Sequence, residues 1–348
     1  VHVVYGRRDP ANCNGAVACI APPSSGNNAI DLSSSSPNGL KAGQGYRMRG
    51  MDLAFCGTSV SSAGDVDGDG VPDALVGCPG EDQQARSNAG SVYVVYGRRA
   101  GVAGRTPPQF DAVNFVSLDT VPPMVGTAGA VQPFDQSVGY RIDGPTASDE
   151  LGSAVARAGD VNGDGVSDQL IGAAHASGSG QISNGAIYVV YGRRAGAALL
   201  PPAGGTNNYL DLAPDAPIVA GAVSPFEKAS GYRIDGTGGQ GFALSVDDAG
   251  DIDGDSVPDL LAAETDSRGL RGSAYVIYGR RPGLREPPEA TAALWLGSGA
   301  DGPPSDLGYE FRGPNAGSET GSSIANASDI NGDGVPDQII GAPRATVS

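Results

Sequence analysis

The sequence is poor in lysine, histidine and tryptophan. Of its 348 residues only Lys41 and Lys228 are lysines, only His2 and His175 are histidines, and Trp295 is the single tryptophan. With 39 acidic against 22 basic side chains, the formal net charge is −17. That balance argues against nucleic acid and anionic membrane surfaces as partners, since both need basic patches. No apolar run approaches the ~20 residues of a membrane-spanning helix, and no signal peptide is visible. Helical periodicity is missing as well. So are the signatures of catalysis: there is no phosphate loop and no nucleophile elbow, and both histidines stand outside any motif. The chain opens on Val1 within an apolar, strand-like run, which reads as a processed mature protein or a fragment.

Four cysteines lie in the first quarter: Cys13, Cys19, Cys56 and Cys78. An even number suits two disulfides in an oxidising compartment, with four buried thiols as the alternative. Their spacing fits no zinc pattern. The 55 glycines and 26 prolines call for many turns, without the strict period of collagen. Short clusters of β-branched and aromatic residues argue against disorder.

Self-similarity organises the chain. YGRR occurs at Tyr5, Tyr96, Tyr191 and Tyr278, each time after a short β-rich run. A GY landmark occurs at Gly45, Gly139, Gly231 and Gly308, and a Pro-Pro pair follows each YGRR. From the GY tyrosine to the next acidic loop is 19, 20, 19 and 20 residues, the mark of a packed unit. From the YGRR tyrosine to the next GY tyrosine is 41, 44, 41 and 31, as surface loops allow. The units are approximately 1–96, 97–191, 192–278 and 279–348, the last completed by the N-terminal strand. GYRID, the run 152–160, the run 168–174, the run 186–192 and YLDL at 209–212 all read as strands. Short strands at regular spacing predict an all-β fold, and a repeated unit of four or five strands predicts a β-propeller.

The most specific element is the acidic loop. It reads DVDGDGVPD at Asp65–Asp73, DVNGDGVSD at Asp160–Asp168, DIDGDSVPD at Asp251–Asp259 and DINGDGVPD at Asp329–Asp337. Like charges this close repel unless a cation neutralises them. The candidate ligands are Asp65, Asp67, Asp69 and Asp73; Asp160, Asn162, Asp164 and Asp168; Asp251, Asp253, Asp255 and Asp259; and Asp329, Asn331, Asp333 and Asp337. The backbone carbonyls of Val71, Val166, Val257 and Val335 add a ligand to each. Alternating hard oxygens suit Ca2+, up to four ions in all, and suit Mg2+ poorly. An EF-hand is excluded, because position 12 is Val76, Ile171, Ala262 or Ile340 and no helix flanks the loop.

With these loops in register, the chain resembles the FG-GAP repeats of the integrin α-subunit N-terminal β-propeller. In that family a Phe-Gly precedes the acidic loop and a Gly-Ala-Pro follows it. Here the first position reads Cys56-Gly57, Leu151-Gly152, Phe242-Ala243 and Thr320-Gly321. The second reads Gly77-Cys78-Pro79, Gly172-Ala173-Ala174, Ala263-Glu264-Thr265 and Gly341-Ala342-Pro343. The third unit departs most. The alignment implies a disulfide between Cys56 and Cys78, in the Phe and Ala slots, which leaves Cys13 and Cys19 to close a small loop. Propellers of the family usually have seven blades. Four visible blades therefore imply either a ring closed across the termini or part of a larger propeller or array.

The resemblance implies an extracellular or cell-surface, secreted, calcium-stabilised module without catalysis, used for adhesion, recognition or surface assembly. Its expected partners are a cell-surface or matrix protein or a glycan, with self-association as a further option. The alternatives are a lectin-type propeller, a structural subunit of a filament or layer, and the non-catalytic part of a larger secreted enzyme. The Arg pairs read as strand-end contacts to neighbouring blades, and Trp295 as a packing residue.

Overall fold

The computed structural model describes residues 1–4, 45–83, 85–98, 115–118, 131–132, 134, 137–193, 209–213, 226, 228–237, 240–266, 271–288, 293–296 and 302–346. Every regular element among them is a β-strand. The chain forms two compact units. One comprises Val1–Met51 and Arg98–Ser137, the other Asp52–Gly97 and Val138–Ser348.

The first unit holds one sheet, in the order β1 (His2–Val4), β2 (Gly45–Arg49), β6 (Phe115–Ser117), β7 (Val131–Gln132). Strands β1 and β2 are antiparallel, and β6 joins β2 in parallel.

The second unit holds four sheets. Sheet one runs β3 (Ser59–Gly64), β4 (Asp73–Cys78), β5 (Ser91–Val95), β8 (Gly139–Asp143), β12 (Tyr209–Asp211). Sheet two repeats that order with β9 (Leu151–Gly159), β10 (Asp168–Ala173), β11 (Ala186–Val190), β13 (Gly231–Asp235) and β17 (Leu294–Trp295). Sheet three has β14 (Gln240–Gly250), β15 (Asp259–Asp266), β16 (Ser273–Ile277) and β18 (Gly308–Arg312). Sheet four has β19 (Ile324–Asn326) and β20 (Gln338–Ile340). In sheets one and two the first four strands form an antiparallel meander and the fifth adds in parallel. Each of these two sheets draws on more than one of the sequence intervals, because its last strands are encoded beyond the next YGRR.

Consecutive sheets pack face to face. Side chains alternate across a strand, so neighbouring residues serve different cores. Ile171 of β10 packs with Leu75, Val94 and Tyr188 toward sheet one. Its neighbour Leu170 packs with Phe242, Leu260 and Ile187 toward sheet three. Leu261 and Val276 in turn meet Ile324 of sheet four. Strands buried on both faces are continuous apolar runs, as AIYVV and SAYVI are.

This close packing explains the recurrent glycines. A Cβ on Gly77 would overlap the carbonyl of Gly152, and one on Gly172 would overlap the carbonyl of Ala243. The Gly of one Gly-Ala-Pro thus abuts the Phe-Gly position of the next sheet. Within a sheet, a Cβ on Gly139, Gly231 or Gly308 would overlap the carbonyl oxygen of Val94, Val189 or Val276. The GY landmark marks where the fourth strand meets the YGRR strand. Its tyrosine then packs on the YGRR tyrosine, as in the pairs Tyr96–Tyr140, Tyr191–Tyr232 and Tyr278–Tyr309.

The disulfide between Cys56 and Cys78 is present, with Cα atoms 4.0 Å apart. Cys13 and Cys19, the first YGRR and the first three Pro-Pro pairs lie outside the described residues. The close approach at Gly231 generates a test. Gly231→Ala must push β13 off β11, at a cost of about 2 kcal/mol or more. Urea unfolding measures it, and a midpoint equal to that of the parent would refute the steric account.

Candidate metal centre

The first three acidic loops each follow a strand that ends in a β-bulge. The register shifts between Ser62 and Gly64, at Gly159 and between Asp248 and Gly250. These glycines have φ of 72–76°, a left-handed conformation that favours glycine. The bulge turns the chain out of the sheet and into the loop. Before the fourth loop, Ser328 takes the same conformation, at φ 55°.

Inside the loop, backbone amides converge on the carboxylates. Asp65 accepts from the amides of Asp69 (3.0 Å) and Gly70 (2.8 Å), and Asp69 accepts from Val71 (2.8 Å). The second loop repeats this: Asp160 accepts from Gly163, Asp164 and Gly165, and Asp164 from Val166. So does the third, with Asp251 accepting from Gly254 and Ser256, and Asp255 from Val257. In the fourth, Asp329 accepts from Gly332, Asp333 and Gly334, and Asp333 from Val335. Position 6 has positive φ in all four loops, including Ser256 at 66°.

The aspartate at position 9 has a different task. Asp73 accepts from the amide of Val66 (2.9 Å) and from that of Gly97 (2.6 Å). Asp168 pairs in the same way with Val161 and Gly192, and Asp259 with Ile252 and Gly279. The glycine in each case is that of YGRR. Its Cβ would overlap the carbonyl of Pro72, Ser167 or Pro258, so no other residue fits there. Asp337 accepts from Ile330 and Asn331. Burial pushes the Asp73 carboxyl up to about 7, opposed by its two amides and reinforced by the charges of Asp67 and Asp69. Burial likewise raises Asp259 to about 6 and lifts Asp168 well above the carboxylate range.

The structure brings Asp65, Asp67 and Asp73 within 4.8 Å of one another, and also Asp251, Asp253 and Asp255. In the second and fourth loops Asn162 and Asn331 stand at position 3, and no such trio of carboxylates forms among the described residues. The donor sets consist only of hard oxygens, and the amides fix their orientation. That chemistry fits Ca2+. Besides Ser256 at position 6, the third loop has a protein cation beside it. Arg285 reaches Asp253 at 2.9 Å and Asp255 at 3.3 Å, and its guanidinium lies 5.0 Å from the Tyr278 ring centroid. A further acidic group, Glu81 beside Cys56 and Cys78, is no metal site, because the disulfide consumes both sulfurs.

The loops lie in a row. The amide of Ser167 donates to the carbonyl of Asp65, and Pro258 and Pro336 abut Gly159 and Gly250. The YGRR arginines serve this packing. The amide of Arg193 donates to the carbonyl of Val66, its guanidinium donates to Ser230, and Arg281 lies over Gly163 of the second loop. His175 is exposed and 3.0 Å from Glu150, while His2 lies in β1. The glycine amide of YGRR and Arg285 are the two loop partners that sequence reasoning missed. The fixed recurrence of that glycine after each loop was its signal; Arg285 left none.

The fold and its loops define an all-β repeat protein with one acidic loop in each of the four sheets of the second unit. The FG-GAP repeat family matches residues 57–95 and 320–348. Integrin alpha pat-2 of Caenorhabditis elegans is 29% identical over 225 residues, which cover 64% of this chain and 14% of that protein. Phosphatidylinositol-glycan-specific phospholipase D of Bos taurus is 28% identical over 274 residues, or 76% of this chain and 25% of that protein. The enzyme of the same name from Rattus norvegicus is 33% identical over 138 residues, 39% of this chain and 13% of its own. The chain therefore spans a quarter or less of these relatives. It carries FG-GAP repeats and is homologous, at modest identity, to integrin alpha pat-2.

One buried acid outside the loops is testable. Glu81 accepts from the Tyr93 hydroxyl at 2.7 Å, and burial pushes its carboxyl up to about 7 from 4.5. A raised folded-state value means that the folded chain holds the proton more tightly. The charged form therefore costs stability, fully above about pH 7 and little below about pH 4.5. Glu81→Gln should stabilise by about 2 kcal/mol at pH 8 and have little effect at pH 4.5. Denaturant titrations at both pH values check this, and equal effects at the two would contradict it.

Proposed function

We propose that the chain is a calcium-stabilised β-propeller that acts outside the cell as an adhesion or recognition module. Its four visible blades belong to that propeller or to a larger array. The observation that carries this reading is the amide-lined acidic loop, repeated four times on a chain homologous to an integrin alpha subunit. Ca2+ would be held by the loop aspartates and asparagines, with the position 7 carbonyls. Bound there it neutralises the carboxylates and pins each hairpin. Its role is structural, and the chemistry of the module is binding. The partner is a cell-surface or matrix protein.

A second reading has its own support. The alignment with the bovine phospholipase D covers 76% of this chain. It favours a non-catalytic repeat region of a larger secreted enzyme. Calcium stabilisation is common to both readings. Binding to immobilised matrix proteins, in calcium and in chelator, separates them: saturable calcium-dependent binding supports adhesion, and its absence favours the enzyme-associated reading.

The metal itself is tested by melting. One ion at 100 times its Kd adds about 2.7 kcal/mol. Chelation should therefore lower the melting temperature by more than about 5 °C. Identical melts in calcium and in EGTA would sink the proposal. The third loop should bind calcium most weakly, since Arg285 already supplies a cation to Asp253 and Asp255. Arg285→Ala should tighten that site about tenfold or more, equivalent to about 1.4 kcal/mol, in a calorimetric titration. An unchanged isotherm would show that Arg285 does not compete.

A further inference from the structure

A cavity of about 420 Å3 lies between sheets one and two of the second unit. That volume is in the range of small-molecule sites. Its polar floor comprises Tyr188 of β11 with Arg233 and Asp235 of β13, and Leu212 and Phe226 form apolar walls.

The floor groups hold one another in place. Arg233 donates from Nε to Asp235 (2.6 Å), from Nη1 to the Tyr188 hydroxyl (3.0 Å) and from Nη2 to the Ser177 carbonyl (2.7 Å). Ser179 donates to the other Asp235 oxygen at 2.7 Å. A guanidinium has five N–H groups, so two remain, and Tyr188 keeps its own O–H proton. The ion pair leaves the floor without net charge. The Tyr188 and Phe226 rings meet edge to face, with centroids 5.8 Å apart.

The corresponding face of sheet one carries a different ion pair. There Arg86 donates to Asp211 at 2.8 Å and to the Pro145 carbonyl at 3.2 Å. Arg86 ends the bridge with Gln83, and Gln181 ends the equivalent bridge with Gly178 in sheet two. Asp211 stands opposite Asp143, and Trp295 takes that place opposite Asp235. The clasp of Arg86 and Asp211 is thus replaced by an exposed Gln181 and by Trp295, which is 40% exposed on the same sheet face as Asp235. A side chain on Gly178 would overlap the Arg233–Asp235 pair, so the glycine leaves room for that pair. The sequence reading of Trp295 as a packing residue gives way to an exposed ring beside this cavity.

We infer that this cavity binds a neutral saccharide of one or two pyranose rings, with the Arg233–Asp235 pair bonding its hydroxyls and the aromatic side chains covering its C–H faces. A sugar hydroxyl donates and accepts at once, as does this floor. An acidic ligand meets a chain of net charge −17. A metal cation finds Asp235 already neutralised by the Arg233 guanidinium. The inference deepens the recognition reading, since it names a ligand class for the module.

Saturation-transfer NMR and calorimetry with glucose, galactose, mannose and N-acetylglucosamine, in calcium, test it on the full chain. At least one should bind saturably. Thr146→Trp, at the exposed mouth of the cavity, and Trp295→Ala should each weaken that binding at least fivefold, and the melting temperature of Trp295→Ala should hold. No saturable binding of any of the four, unchanged binding in both variants, or tighter binding of glucuronate would overturn the inference. Binding to matrix proteins without sugar binding would overturn it and leave the recognition reading standing. Sugar binding without a protein ligand would support it.

Discussion

The second unit depends on one recurrent hydrogen-bonding arrangement, the buried aspartate that closes three of its four acidic loops. Asp73, Asp168 and Asp259 each spend one oxygen on an amide of their own loop and the other on the YGRR glycine. Both bonds go to a carboxylate, where each contributes about 1.5–3 kcal/mol when the group is charged. The loop, the strand that follows it and the end of the third strand are thereby joined at one point. Moving any of these three displaces a buried carboxylate from its amides.

Around that fastener the sheets are set by shape. Glycines at the Phe-Gly and Gly-Ala-Pro positions let the backbones of successive sheets approach closely, and Gly77 against Gly152 is the clearest case. Sheet three carries Ala263 and Ala243 at these positions, and Ala243 adopts φ 65° to remain there. The same sheet carries Ser256 at the loop turn and Arg285 over the carboxylates. The departures from the motif gather in one repeat, where a protein cation has been brought to the loop.

Much of this was legible in the sequence, since local chemistry decides it. The strands GYRID, AIYVV and YLD and the four loops follow from residue type and spacing, and the Cys56–Cys78 bridge was implied by the resemblance to FG-GAP repeats. What stayed hidden depends on which distant groups meet. The contact of Gly192 with Asp168 spans 24 residues, and that of Arg285 with Asp253 spans 32. Spacing alone names neither amide nor guanidinium as the partner. Trp295 was misjudged for a related reason: a lone aromatic reads as core until the strand register shows which face it occupies. The parallel fifth strands were equally unreadable, because Tyr209–Asp211 carries no mark that it belongs beside Gly139–Asp143.

Those fifth strands govern how the repeats can be inherited. Sheet one is completed by Tyr209–Asp211 and sheet two by Leu294–Trp295, each encoded beyond the next YGRR. A stretch of gene carrying one repeat therefore does not carry one whole sheet. Moved alone, it would arrive without its edge strand and bring a strand that belongs to its former neighbour. Genetic exchange that preserves folding must move repeats in runs, and any junction between runs must supply a compatible edge strand. The overlap also defers closure during synthesis, since β8 emerges long before the strand that covers it.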